Sequence, residues 1–254
     1  VELIYAKMDG RIHFYDMEDG SQTRKPVKLG MGVASDRSGA EIGIASAVAD
    51  DGGMHAIIKC AQGATHIYPD SQYEVSLNYG TWTSPTYIKN NQVDLSKNPM
   101  IGHMYNRFAE TVTNGLRLLI EDGYTPVIEG VWWMQGEAEM FTLEMASKYR
   151  DLFKALISDT RNMLSRTTGY DCSFVPFVCG LPKWNSNNSA PPPYQNYVRT
   201  AMMTVAEEVD NVNYVDCMPL TQHDDWHFDA AGQRYLGDRF IAFIRKIKIA
   251  NTGE

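Results

Sequence analysis

Strand-length apolar runs alternate with longer runs of helical periodicity along most of this chain. That alternation limits it to an α/β fold with a parallel sheet. The sequence predicts strands at 11–15, 56–60, 127–133, 173–180 and 212–217, and helices at 40–49, 101–121, 143–164, 194–209 and 230–247. Strands joined by helical crossovers pair in parallel and with one hand, so helices cover both faces of the sheet and the loops collect along one edge. Within 143–164, Met145, Tyr149, Leu152, Phe153, Leu156 and Ile157 share one stripe, the spacing of a helix laid on a sheet. A length of 254 residues, 44% of them hydrophobic, suits one core, and no repeat or linker divides the chain, so residues 1–254 are expected to form a single domain.

Several function classes are excluded early. A formal charge of -8 repels phosphate backbones, so no nucleic-acid partner is expected, and no apolar run reaches the length of a membrane span. Cys60, Cys172, Cys179 and Cys217 lie in or beside apolar runs without metal-ligand spacing and read as free buried thiols. The chain has no G-x-S-x-G elbow, S-x-x-K, H-E-x-x-H or P-loop. Gly30-Met31-Gly32 begins like a dinucleotide fingerprint, but Ser35 stands where the third glycine belongs. Of the six histidines only His223 and His227 share helical spacing, and a metal there would compete with Asp224 for His227, so no metal is expected.

Three segments carry chemistry. Asp224 lies three residues before His227, just ahead of the last helical run. A carboxylate so placed can accept from one imidazole nitrogen and leave the other free to take a proton; it can also be a helix cap beside a solvated histidine. The apolar run ending at Trp132-Trp133-Met134 breaks into Gln135-Gly136-Glu137-Ala138-Glu139. Ligands in open α/β sheets sit outside the carboxyl ends of strands, where the Gln135 amide could donate to substrate; Gln135 and Glu137 could equally satisfy loop backbone groups. Upstream, 56–60 runs into Ala61-Gln62-Gly63-Ala64-Thr65, where Gly63 either lets the backbone N–H approach a ligand or only makes a turn.

In order, these segments resemble the SGNH-type hydrolases, in the branch of carbohydrate O-acetylesterases that holds sialate O-acetylesterases and the acetylxylan esterases of carbohydrate esterase family 6. The resemblance rests on Gly39 to Ala45, Lys59 to Thr65, Trp133-Met134-Gln135-Gly136-Glu137, and Asp224 to Phe228 with Gly232-Gln233 and Leu236-Gly237 behind. It implies a three-layer α/β/α sandwich of flavodoxin-like type and a serine esterase acting on an acetylated carbohydrate without any cofactor. It further implies that His227 is the general base and acid, that Asp224 orients it, and that Gly63 and Gln135 build the oxyanion hole; Glu137 is read as bracing the Gln135 loop by hydrogen bonding and not as touching substrate. The family's nucleophile lies in a Gly-Gln-Ser-Asn block that is absent from these residues, so the serine is expected upstream of Val1, together with the first strand. Ala64 also replaces a family glycine.

The long segments 68–99 and 184–194 interrupt the alternation, and they hold Trp82 and Trp184. Each is a candidate platform for a sugar ring, or an anchor that pins its own loop to the domain. Two other functions remain: a glycan-binding homologue without a nucleophile, and a glycoside hydrolase using Glu137 or Glu139. The substrate class implied by the resemblance points to a secreted or periplasmic protein.

Overall fold

The computed structural model describes residues 12–18, 20–25, 27, 38–69, 78–184 and 190–252. In chain order its elements are β1 (Ile12–Asp16), α1 (Glu41–Val48), β2 (His55–Lys59), α2 (Pro85–Asn90), α3 (His103–Glu121), β3 (Val131–Met134), a 3-10 turn (Glu137–Phe141), α4 (Leu143–Thr168), β4 (Phe177–Gly180), α5 (Gln195–Glu208), β5 (Val212–Val215) and α6 (Ala230–Thr252). The strand at 11–15 is met by β1, and the other strands and helices lie where the alternation sets them, with shifted ends.

Among the described residues the strand ladders are all parallel, as helical crossovers require. β1 runs beside β2 from Ile12↔His55 to Asp16↔Lys59, β3 beside β4 from Val131↔Phe177, and β4 beside β5 from Phe177↔Val212. Among the described residues the ladders form two groups, β1-β2 and β3-β4-β5, with none joining β2 to β3. Burial follows the break. β1 and β4 are buried throughout, whereas β2 and β3, which would be inner strands of a continuous sheet, are mostly half-buried. A cavity lies between Cys60, just after β2, and Val131 to Trp133 of β3, closed in by Trp82, Phe108 and Phe177.

Helices cover both faces. Ile12, Phe14, Val178 and Val215 point into a core shared with α1 and α6, and Tyr15, Trp133, Phe177 and Cys179 point the other way, toward α3, α4 and α5. The six α4 stripe residues read from the sequence are all buried. That helix starts where the Thr142 side chain accepts from Met145 N–H and ends at Gly169, whose φ of +78° supplies a left-handed cap. No helix among the described residues is long and apolar enough to cross a membrane.

Two strands start later than their apolar runs. Residues 127–130 stay outside the ladder because Ile128 N–H donates to the Tyr170 hydroxyl and Val127 is 70% exposed; the first ladder bond is Val131 N–H to Pro176 C=O. Residues 173–176 form a turn instead, with Asp171 accepting from Ser173 N–H and Val175 N–H donating to Cys172.

Candidate active site

Gly63, Gln135 and the Asp224–His227 turn follow β2, β3 and β5 respectively, so all three lie beyond the carboxyl ends of parallel strands. That is the edge where open α/β sheets bind ligands.

The tightest part is the turn after β5. Asp224 Oδ1 accepts from the backbone N–H of Trp226 (2.8 Å) and of His227 (2.7 Å), and His227 Nδ1 lies 2.7 Å from Asp224 Oδ2. An ionised carboxylate can only accept, so Nδ1 carries a proton, and in the neutral ring Nε2 then presents its lone pair. Burial works to raise the Asp224 pKa, but the hydrogen bonds from His227 and the two backbone groups outweigh it and hold the carboxyl well below its usual range. The turn is closed at its base by the Gln222↔Phe228 bridge and by Thr221 donating to Asp229. The His227 side chain is 56% exposed, and no hydroxyl among the described residues is bonded to its Nε2. His223 brings its own Nε2 to 3.2 Å from Asp224 Oδ2. His223, Asp224 and His227 thus offer donor atoms within 4.8 Å of one another, but a cation would have to compete with the Asp224–His227 bond.

The end of β3 meets the loop after β2 through one polar network. Gln135 Nε2 donates to Thr65 C=O at 3.1 Å and to Glu139 Oε2 at 2.6 Å, while Gln135 Oε1 accepts from the Tyr149 hydroxyl at 3.0 Å. Gln135 is 7% exposed, so its amide is held from both sides and its two hydrogens have partners in the protein. Glu139 Oε1 accepts from Ile67 N–H (2.7 Å) and Tyr68 N–H (3.2 Å). A brace of the kind expected of Glu137 is seen at Glu139, which the 3-10 turn rolls inward beneath Gln135. Glu137 is half-buried; burial raises its pKa, and its own backbone N–H and the nearby His227 oppose that rise. The same pairing brings the turn after β3 beside His227.

Gly63 is exposed, a Cβ there would meet nothing within 4 Å, and no protein atom among the described residues accepts from its N–H. Ala64 takes a φ of +58°, the conformation the missing glycine would adopt freely. Left-handed backbone costs alanine about 1–2 kcal/mol, against about 0.4–1 kcal/mol of unfolded-state entropy that glycine adds. Ala64→Gly is accordingly expected to raise the melting temperature by about 1–4 °C in a thermal unfolding scan.

The two tryptophans part company. Trp82 is 5% exposed, stands edge-on to Trp133 at 5.3 Å and donates its indole N–H to Thr65, the surroundings of the anchor among the two readings left open for it. Trp184 is half-buried and meets Trp226 edge-on at 3.9 Å; Trp226 in turn lies 5.8 Å from Phe141, which is 47% exposed. Trp226, which the sequence did not single out, so joins an aromatic shelf directly beside His227. Its only signal was an aromatic residue adjacent to a candidate base.

Burial disfavours a thiolate at three of the four cysteines. Burial pushes Cys60 and Cys217 up to about 12 and Cys179 higher still, and all four cysteines are free. Ser35 lies outside the described residues, and Ser38 carries no motif.

A family model described as carbohydrate esterase, sialic acid-specific acetylesterase, matches residues 12–246. Among solved structures the chain is similar to a protein of Arabidopsis thaliana, with 19% identity and a TM-score of 0.65 over 94% of this chain and 84% of the other. It is similar to a carbohydrate acetylesterase from Xanthomonas citri, with 17% identity and a TM-score of 0.63 over 100% of this chain and 52% of the other. A third is NanS, with 14% identity and a TM-score of 0.62 over 96% of this chain and 91% of the other. At these identities the structural likeness shows a shared fold. No curated protein matches the chain by sequence.

Proposed function

Because the chain belongs to the carbohydrate esterase family of sialic acid-specific acetylesterases, we propose that it is a serine esterase removing O-acetyl groups from a carbohydrate through an acyl-enzyme. The observation that carries this reading is the Asp224–His227 pair, with Nδ1 protonated toward the carboxylate and Nε2 open at the strand-end edge.

The serine hydroxyl attacks the acetyl carbonyl carbon as its proton passes to His227 Nε2, and the tetrahedral intermediate carries the negative oxygen. Gly63 N–H, free of protein partners among the described residues, donates to that oxygen. Gln135 joins by exchanging its longer bond, to Thr65, for one to the oxyanion, while the shorter bond to Glu139 stays. Collapse breaks the ester C–O bond, and His227 returns the proton to the leaving sugar hydroxyl. Water, deprotonated by the same imidazole, then releases acetate and the serine.

The serine is proposed to stand on a parallel strand between β2 and β3. The interrupted ladder, the half-buried facing strands and the cavity beside Cys60 support this, because a strand there would pair both inner edges. With it the domain would be a single SGNH-type three-layer sandwich. The Trp226, Trp184 and Phe141 shelf would receive the apolar face of a pyranose ring beside the base. An O-acetylated glycan as substrate fits a secreted or periplasmic location.

The glycosidase alternative loses one of its carboxylates, since Glu139 is fully buried and engaged by three donors. Product analysis of the full-length protein on acetylated sugars is expected to yield acetate without new reducing ends. Reducing ends would point to glycoside cleavage, and binding without product would point to a glycan-binding homologue.

A further inference from the structure

We infer that Glu139 is a positioning residue for the oxyanion hole, fixing which end of the Gln135 amide faces the site and tying the Gly63 loop to the end of β3. This deepens the esterase reading above and rests on it.

The loop after β2 and the turn after β3 must keep a fixed spacing if donors from both are to meet one oxygen atom. Glu139 spans the two with a single carboxylate. Oε1 takes the N–H groups of Ile67 and Tyr68, a few residues beyond Gly63, and Oε2 takes the Gln135 amide at 2.6 Å. Such charge-assisted bonds are shorter and stronger than neutral ones.

The carboxylate also decides polarity. Ionised, it can only accept, so it selects the amide orientation with Nε2 toward Glu139 and Thr65; the Tyr149 hydroxyl donates to Oε1 and agrees with that choice. Turned by half a rotation, Gln135 would present its carbonyl oxygen where the hydrogens now point and would repel an oxyanion. A neutral partner at 139 removes the preference, because a carboxylic acid or an amide can both donate and accept.

Burial, the largest influence, raises the Glu139 carboxyl to about 7; the three hydrogen bonds pull it down and the neighbouring Glu137 raises it further. The titratable groups facing it are Glu137, from its own turn, and Tyr149, from α4. The selecting charge is thus present above about pH 7 and is lost as pH falls below it.

Two measurements test the inference on the full-length protein. In Glu139→Gln, confirmed as folded by circular dichroism, kcat for acetyl ester hydrolysis is expected to fall roughly 10- to 100-fold with KM changed by less than about 3-fold. A folded E139Q with wild-type kcat, or a loss confined to KM, would overturn it. The second measurement needs no variant and no turnover: NMR of the wild type from pH 5 to 9, following the Gln135 side-chain amide, the Ile67 and Tyr68 backbone amides and the Glu139 carboxyl carbon. All are expected to move along one titration curve; separate midpoints for the carboxyl and the amides would overturn the inference even if E139Q did not fold. A wild type that releases no acetate would instead count against the esterase reading and leave the NMR result to judge Glu139.

Discussion

His227→Ala in the full-length protein is expected to abolish nearly all ester hydrolysis while leaving the fold intact, because the side chain is 56% exposed and supports no core contact that its loss would vacate. Asp224→Asn should be almost as damaging, with turnover lowered on the order of 10⁴-fold, since an amide at 224 can donate to Nδ1 and so favours the tautomer that protonates Nε2. Asp224 also accepts from two backbone N–H groups, so the asparagine retains an acceptor for the turn while removing the charge. The check is kcat/KM on an aryl acetate for both variants, with circular dichroism beside it. Wild-type rates in either would remove the pair from the mechanism.

Gly237→Ala is expected to be the most destabilising single substitution at the contact between α1 and α6. A Cβ on Gly237 would lie 2.4 Å from both Ala40 O and Ile44 N, and one on Gly43 would lie 2.4 Å from Arg234 O. The obstacles are backbone atoms, so the helices have to separate instead of a side chain swinging aside. Overpacking of this kind costs on the order of 3 kcal/mol, and the melting temperature should fall by about 6–12 °C. Gly43→Ala should act similarly, and the double variant should cost less than the sum because both act on one contact. A melting temperature within 2 °C of wild type would mean that the helices yield easily.

What the sequence made legible was what depends on short-range pattern. The α4 stripe from Met145 to Ile157 follows from helical periodicity alone, and the Asp224–His227 bond from a spacing that a tight turn brings together without help from the rest of the chain. What stayed hidden depends on which partner lies across the fold. Glu137 and Glu139 are equivalent on the page. Only the 3-10 turn after Gly136, at φ +128°, turns 139 under Gln135 and leaves 137 toward His227. Trp82 reads as a loop aromatic, and its burial comes from Trp133 and Thr65, contributed by segments distant in sequence. The late starts of β3 and β4 have the same origin: the Tyr170 hydroxyl captures Ile128 N–H, and the Asp171 side chain holds a turn where an apolar run suggested ladder.

The central claim is that Asp224 and His227 activate a serine, and covalent labelling addresses it most directly. Full-length protein treated with a serine-directed fluorophosphonate, digested and read by mass spectrometry, is expected to carry one adduct on one serine, with labelling and acetate release lost together in His227→Ala. Absence of any adduct in a protein that still releases acetate, or labelling at an unchanged rate in His227→Ala, would contradict the account.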